Sequence, residues 1–261
     1  MSRFPTTFIS HGAPTLPIDP SMPTAEFATF STRFERPRSI LMLSAHWNTA
    51  QPVASISTQP ETIHDFHGFP RVLYEIHYGA PGAPELGARA AALLTQAGIT
   101  SSVTEHGLDH GAWVPLLLMY PDADIPVAQL SIQPRLDPAH HFRMGRALRA
   151  LRDEGVLIVG SGQITHNLRT ADFAARPEDG DPKVTEFTDW FEQRMAERDI
   201  DALLDYRKRA PHAALMHPTD EHLLPIFSAL GATSDNFTLD IQSLGTFQKT
   251  LAMTNYVFND K

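Results

Sequence analysis

The sequence predicts an α/β fold: a single domain spanning 1–261, with a central mostly parallel or mixed sheet flanked by helices and an active site at the carboxyl ends of the strands. Three observations carry this expectation. Short apolar, β-branched runs alternate along the chain with segments of helical periodicity. The run Val156–Val159 is apolar throughout, as a strand covered on both faces must be. Several such runs are followed at once by glycine and histidine, where open α/β sheets place their ligands. At 261 residues and 42% apolar the chain can bury a full core, and chains of this size often form one domain.

Taken in order, Thr6–Ser10 is a short strand that ends at His11-Gly12-Ala13-Pro14, and Ser39–Ser44 is a second that ends at Ala45-His46-Trp47. Thr24–Phe34 between them reads as a helix, which makes a βαβ start and a parallel pair. Thr62–Gly82 has no sustained period and reads as a long loop, of a length that is uncommon unless it lines a site. Pro84–Ala97 has Ala and Leu at helical spacing with proline near its start, hence a helix. A turn at Glu105–Gly111 leads into a short helix over Ala112–Met119.

Ile125–Ile132 is a strand whose Pro126 places its start at an edge or an end. Pro138–Arg152 reads as one amphipathic helix with Arg143, Arg146, Arg149 and Arg152 on a solvated face. The next strand, from Val156, stops at Gly160-Ser161-Gly162, where the glycines let the chain turn, and His166 follows just beyond. Thr170–Lys183 is polar and rich in Asp and Pro, so it reads as an exposed excursion. Helices are expected over Val184–Arg198 and Ile200–Lys208. Another opens near Met216–His222, with Thr219 as N-cap and His222 at its third position. Leu239–Leu244 and Phe247–Phe258 complete the pattern as strands, and no internal repeat interrupts it.

Composition excludes several classes of function. The chain has no cysteine, so disulfides and thiolate metal sites are ruled out and any metal must sit on nitrogen or oxygen. A net charge of −9 without a Lys/Arg block argues against nucleic acid or a charged membrane surface as partner. No stretch approaches the length of an apolar membrane span, and Met-Ser-Arg-Phe-Pro lacks the features of a signal peptide, so cytoplasmic residence is expected.

The thirteen histidines are the remaining signal. His11, His46 and His166 each follow a strand closely, so a parallel sheet would bring all three to one edge; His222 would have to join them from a helix start. His64, His67, His77, His106, His140, His141, His212 and His217 read first as hydrogen-bonded or surface residues, and His110 lies in a tight turn between Asp109 and Gly111. Imidazoles suit zinc, iron, copper and nickel. Three neutral histidines would leave a metal its full charge, favouring a readily deprotonated bidentate ligand, and a fourth nearby histidine would serve as proton acceptor.

Phe8-Ile9-Ser10-His11-Gly12-Ala13-Pro14, Ser44-Ala45-His46-Trp47, Ile63-His64-Asp65-Phe66 with Gly68-Phe69-Pro70, Asp109-His110-Gly111, Ser161-Gly162 with His166-Asn167-Leu168, and Pro218-Thr219 with Glu221-His222 follow one another in that order. Together they resemble the class III extradiol ring-cleavage dioxygenases, of the protocatechuate 4,5-dioxygenase β-subunit superfamily and its DOPA 4,5-dioxygenase branch. The resemblance runs from about Thr6 to the C-terminus.

The resemblance implies a metal held by His11, His46 and His222, the last at a position that is glutamate in the protocatechuate enzyme and adjacent here to Glu221. It further implies His166 as acid/base and possible fourth ligand in a zinc form, His110 as a second catalytic histidine that handles bound oxygen, and His64 as a candidate substrate-binding residue. Fe(II) is the implied cofactor of the active enzyme, Zn(II) that of isolated protein, and the partners are a small aromatic diol and O2. Two rivals share these residues: a zinc hydrolase with Glu221 as base, and a non-catalytic binding protein like the related Memo proteins.

Overall fold

Strand β2 (Ser39–Asn48) shows how the sheet is built: Leu41 and Leu43 face one layer of core, Ile40 and Met42 the other, and all four are fully buried. The alternation is the two-residue period of an extended chain with apolar side chains on both faces, which only a sheet covered on both sides accommodates. The computed structural model describes residues 3–172, 174–176 and 179–261. The strands are β1 (Thr6–Ser10), β2, β3 (Val53–Ser55), β4 (Ser102–Thr104), β5 (Val127–Ile132), β6 (Val156–Gly162), β7 (Phe237–Phe247) and β8 (Leu251–Asp260). They form one mixed sheet in the order β4-β3-β5-β2-β6-β1-β8-β7. Its centre, β5-β2-β6-β1, is parallel, and β8 and β7 join antiparallel.

The helices are α1 (Thr24–Phe30), α2 (Pro84–Gln96), α3 (His110–Met119), α4 (Pro138–Leu148), α5 (Pro182–Glu197), α6 (Ile200–Leu204), α7 (Tyr206–Arg209), α8 (Ala213–Met216) and α9 (Leu224–Ala232). On one face Leu94 of α2, Met144 of α4, Phe191 of α5 and Phe227 of α9 pack over Leu41, Leu43 and Ile158. On the other, Phe27 and Phe30 of α1 and Trp113 and Leu116 of α3 pack over Ile40, Met42 and Val159. Among the described residues no helix is long and apolar enough to cross a membrane.

Several boundaries differ from the sequence reading for identifiable reasons. β1 and β2 are parallel but do not touch, because β6 runs between them and pairs with both. β6 does not stop at its glycines. Gly160 and Gly162 are strand residues, and a Cβ on either would stand within 2.4 Å of a backbone carbonyl, that of Pro225 or of His222. They permit a close crossing rather than a turn. β5 lies inside the sheet, so Pro126 marks the strand's start, not an edge, and its carbonyl still accepts the Ile40 N–H.

The expected helix over 138–152 tightens into a 3-10 turn at Arg149. Arg152 is fully buried rather than solvated, with its guanidinium bonded to Asp260 and to the carbonyls of Phe4 and Ala232. The stretch 200–208 breaks into α6 and α7. The long loop 62–82 holds only a 3-10 turn, Arg71–Glu75. Of the expected polar excursion over 170–183, residues 173, 177 and 178 lie outside the described residues. The short strands β3 and β4 and the one-turn helix α8 have no sequence period to announce them.

Candidate metal centre

Five histidines meet at the carboxyl edge of the parallel strands. His11 follows β1 directly, and its N–H donates to the Gly162 carbonyl at 3.0 Å. His46 lies near the end of β2, where the register against β5 shifts. His166 follows β6 and is held by its N–H on the Met216 carbonyl, 2.9 Å. His110 is the first residue of α3, not part of a free turn; the Asp109 carboxylate before it caps the helix by accepting the Ala112 N–H. His222 lies in the turn before α9 rather than one turn into a helix, and its carbonyl accepts the Gln163 N–H at 2.9 Å.

The ring centroids of His46 and His110 are 3.8 Å apart, those of His11 and His46 4.9 Å, those of His46 and His222 5.0 Å, and His166 stacks on His222 at 3.5 Å. One ligand nitrogen from each of His11, His46 and His222 lies within 4.8 Å of the others, so this triad could hold a metal ion. Two overlapping groups, His46–Asp65–His110 and His166–Glu221–His222, meet the same distance test.

Surrounding hydrogen bonds assign the tautomers. Ser161 has one hydroxyl proton and donates it to the Gly111 carbonyl at 2.5 Å, so its oxygen can only accept from His11 Nδ1 at 2.9 Å. His11 Nε2 is therefore left as a bare lone pair. His110 Nδ1 donates to Asp65 Oδ2 at 2.9 Å, and His222 Nδ1 donates to Glu221 Oε1 at 3.2 Å, which leaves both with Nε2 free as well.

His46 Nδ1 is 3.4 Å from the same Asp65 oxygen, and a carboxylate there favours the Nδ1–H form. In that form the Nε2 atoms of His11 and His46, 3.1 Å apart, are both bare. Lone pairs at this distance repel unless a cation lies between them, and two imidazoles on one ion at ~2.0–2.1 Å would be separated by roughly 3 Å. The donor set fits a metal.

Electrostatics agrees. Burial, reinforced by the neighbouring imidazoles, holds His11 and His222 well below the ordinary histidine range. Burial and then His110 depress His46 to about 3, and burial lowers His166 against the pull of Glu221. Neutral imidazole is the form that ligates. Burial would raise Asp65, but its hydrogen bonds with His110 and the nearby imidazoles outweigh this and hold it down at about 2.

A buried brace ties β2 and β5 to the start of α3. Ser44 Oγ donates to Asp109 Oδ1 at 2.6 Å, and Gln129 Nε2 donates to Asp109 Oδ2 at 2.8 Å. Gly111 closes the brace, since a Cβ there would meet Ser44 Oγ at 2.4 Å, His46 Cδ2 at 3.0 Å and His11 Nδ1 at 3.1 Å.

His64 is not among the five. Its Nε2 donates to the Ile76 carbonyl at 3.1 Å, and its ring reaches the cluster through Phe66, which stands edge-on to His110 at 5.9 Å. His140 and His141 bind Gln133, His217 donates to the Ile164 carbonyl, His106 stacks on Trp47, and His212 pairs with Glu186. Asp65 and Ser161 are the residues sequence reasoning passed over. Asp65 is one acid in a loop without period, though its motif was visible. Ser161 was hidden between two glycines that drew a different interpretation.

Imidazoles gathered at the carboxyl edge of a parallel sheet, three of them able to share one ion, define an α/β protein with a histidine-built metal-type centre. The family of the catalytic LigB subunit of aromatic ring-opening dioxygenase matches residues 6–259, and the chain belongs to it. A 4,5-DOPA dioxygenase extradiol of Beta vulgaris is 43% identical over 247 residues, 88% of this chain and 87% of that protein. One of Escherichia coli K12 is 38% identical over 255 residues, 97% of this chain and 93% of that protein. The crystal structure of an uncharacterised Escherichia coli K12 protein superposes with a TM-score of 0.80 at 33% identity, covering 98% of this chain and 99% of that one. The protein is an extradiol dioxygenase of this family.

Proposed function

We propose that the protein opens the ring of a catechol, DOPA-like or a related dihydroxy-aromatic, beside the diol to give a semialdehyde. Both atoms of O2 enter the product, so no external reductant is consumed. The observation that carries this reading is the facing Nε2 pair of His11 and His46, 3.1 Å apart, with His222 within reach of both. These three would hold Fe(II), and the same nitrogen donors accept Zn(II) in isolated protein. When bound, Fe(II) would supply Lewis acidity toward the diol and a redox-active centre for O2.

The chain's own residues supply the rest. His166, kept neutral by burial and stacked on His222, takes a proton from a catechol hydroxyl. His110, fixed by Asp65 through both its ring and its backbone N–H, keeps Nε2 as an acceptor that can take a proton and then, as a donor, stabilise the oxygen-derived charge. Glu221 is engaged rather than free: its Oε1 accepts from the Thr219 hydroxyl at 3.0 Å as well as from His222. These bonds support a role in orienting a ligand and speak against the zinc-hydrolase reading, in which it would be the base.

The test is anaerobic reconstitution with Fe(II), then a panel of catechols with oxygen uptake and yellow product followed together. Stoichiometric uptake with product supports the reading. No uptake with any catechol in iron-loaded protein would return the hydrolase and Memo-like binding alternatives to first place.

A further inference from the structure

Among the described residues Asp65 is the one carboxylate within 4.0 Å of two members of the histidine cluster at once, and the catalytic reading above gives it no chemical step. It lies in the irregular stretch between β3 and α2, which by itself would leave its side chain free to move. Three contacts hold it. Oδ1 accepts the backbone N–H of His110 at 2.9 Å, Oδ2 accepts His110 Nδ1–H at 2.9 Å, and the same Oδ2 stands 3.4 Å from His46 Nδ1. The backbone bond fixes the carboxylate against the first turn of α3, so its second oxygen has little freedom and must face both rings.

We propose that Asp65 is a positioning residue that imposes the Nδ1–H tautomer on His110 and His46 together, so that each presents Nε2 to the centre. An ionised carboxylate can only accept, so any nitrogen facing it is favoured as a donor. Were His46 instead protonated on Nε2, its Nδ1 lone pair would face Oδ2 at 3.4 Å, and its Nε2–H would point at His11 Nε2, closing the centre with a hydrogen bond between would-be ligands. Asp65 thus biases the cluster against satisfying itself without a metal, as outer-shell carboxylates on ligand histidines do. The inference rests on the metal-centre reading for His46; its effect on His110 stands without it.

The experiment compares wild type with Asp65→Asn and Asp65→Ala, using two-bond 1H–15N correlations of 15N-histidine-labelled protein to read tautomers, and chelator competition to read Zn(II) and Fe(II) affinity. Asparagine keeps one acceptor for the His110 backbone but turns an NH2 toward the rings. It should shift His110, and His46 with it, toward the Nε2–H form and weaken metal binding about 10–100-fold, the range for outer-shell substitutions. Alanine removes the acceptor without adding a donor. It should leave the two tautomers mixed and weaken binding by less than asparagine, an order a merely structural role would not produce.

Unchanged histidine tautomers and unchanged affinity in Asp65→Asn would overturn the proposal, as would equal losses in both variants with wild-type tautomers retained. If tautomers and affinity move as expected but iron-loaded wild type opens no catechol, the catalytic reading fails and the role of Asp65 stands.

Discussion

A Cβ placed on Gly162 would stand 1.9 Å from the carbonyl oxygen of His222, the same oxygen that accepts the Gln163 N–H. The strand that leads to His166 and the turn that carries His222 are therefore in backbone contact, and only glycine allows it. Gly162→Ala must push the His222 turn outward, at an overpacking cost of about 1–3 kcal/mol. The expected outcome is a lower melting temperature together with at least a tenfold loss of metal affinity in the protein that remains folded. Differential scanning calorimetry and chelator competition measure the two effects separately.

Ligand and proton-handling roles separate by substitution. His11→Ala or His46→Ala removes one of the two facing Nε2 atoms and should abolish both stoichiometric metal binding and ring opening. His166→Phe keeps a flat ring against His222 but has no nitrogen, so metal binding should persist while turnover falls about 100-fold or more. Bound metal by elemental analysis, set beside oxygen uptake, checks both. Wild-type turnover in iron-loaded His166→Phe would refute the acid/base assignment.

Much of this arrangement was legible in the sequence, and the exceptions have physical causes. His11, His46 and His166 follow strand runs, so an α/β sheet with a parallel centre delivers them to one edge almost by topology alone. His222 enters from a turn held by contacts with β6, 60 positions earlier in the chain at Gly162, and no local pattern encodes such a crossing; it came only from the ordered motifs. Apolarity identified β5 and β6, but not their neighbours in the sheet. Three-residue strands such as β3 and β4 are too short to show a period. The regular spacing of four arginines suggested one solvated helix face, whereas Arg152 is drawn inside by Asp260 and two backbone carbonyls.

Ser161→Ala tests the tautomer of His11. Without the hydroxyl, His11 Nδ1–H loses its acceptor and the Gly111 carbonyl loses its donor, both in a buried site. Leaving those groups unpaired costs about 1–3 kcal/mol each. Freed from the constraint, His11 can place its proton on Nε2, where it competes with metal. Affinity should fall about 10–100-fold with the fold preserved, and zinc titration followed by circular dichroism would show it. An unchanged affinity would mean that His11 does not depend on Ser161 for its ligating form.

Away from the centre, His141 predicts part of the acid sensitivity of the fold. Its ring is fully buried, Nδ1–H donates to the Asp137 carbonyl at 3.0 Å, and Nε2 accepts the Gln133 N–H at 3.1 Å. A second proton would have to go on Nε2, against an N–H already pointing there. Burial is the main cause of its depression from 6.5 to about 4, opposed by the Asp137 hydrogen bond. Above pH 6.5 the ring is neutral in both folded and unfolded chains, and its contribution to stability is complete. Between 6.5 and about 4 only the unfolded chain takes up the proton, so stability falls as pH falls, by roughly 3 kcal/mol at most across the window. Below that range both forms are protonated and the contribution is gone. His141→Gln keeps a donor and an acceptor but does not titrate. It should be less stable than wild type at pH 7 yet lose less stability on going from pH 6.5 to 4, and urea melts across that range would show whether the two slopes differ.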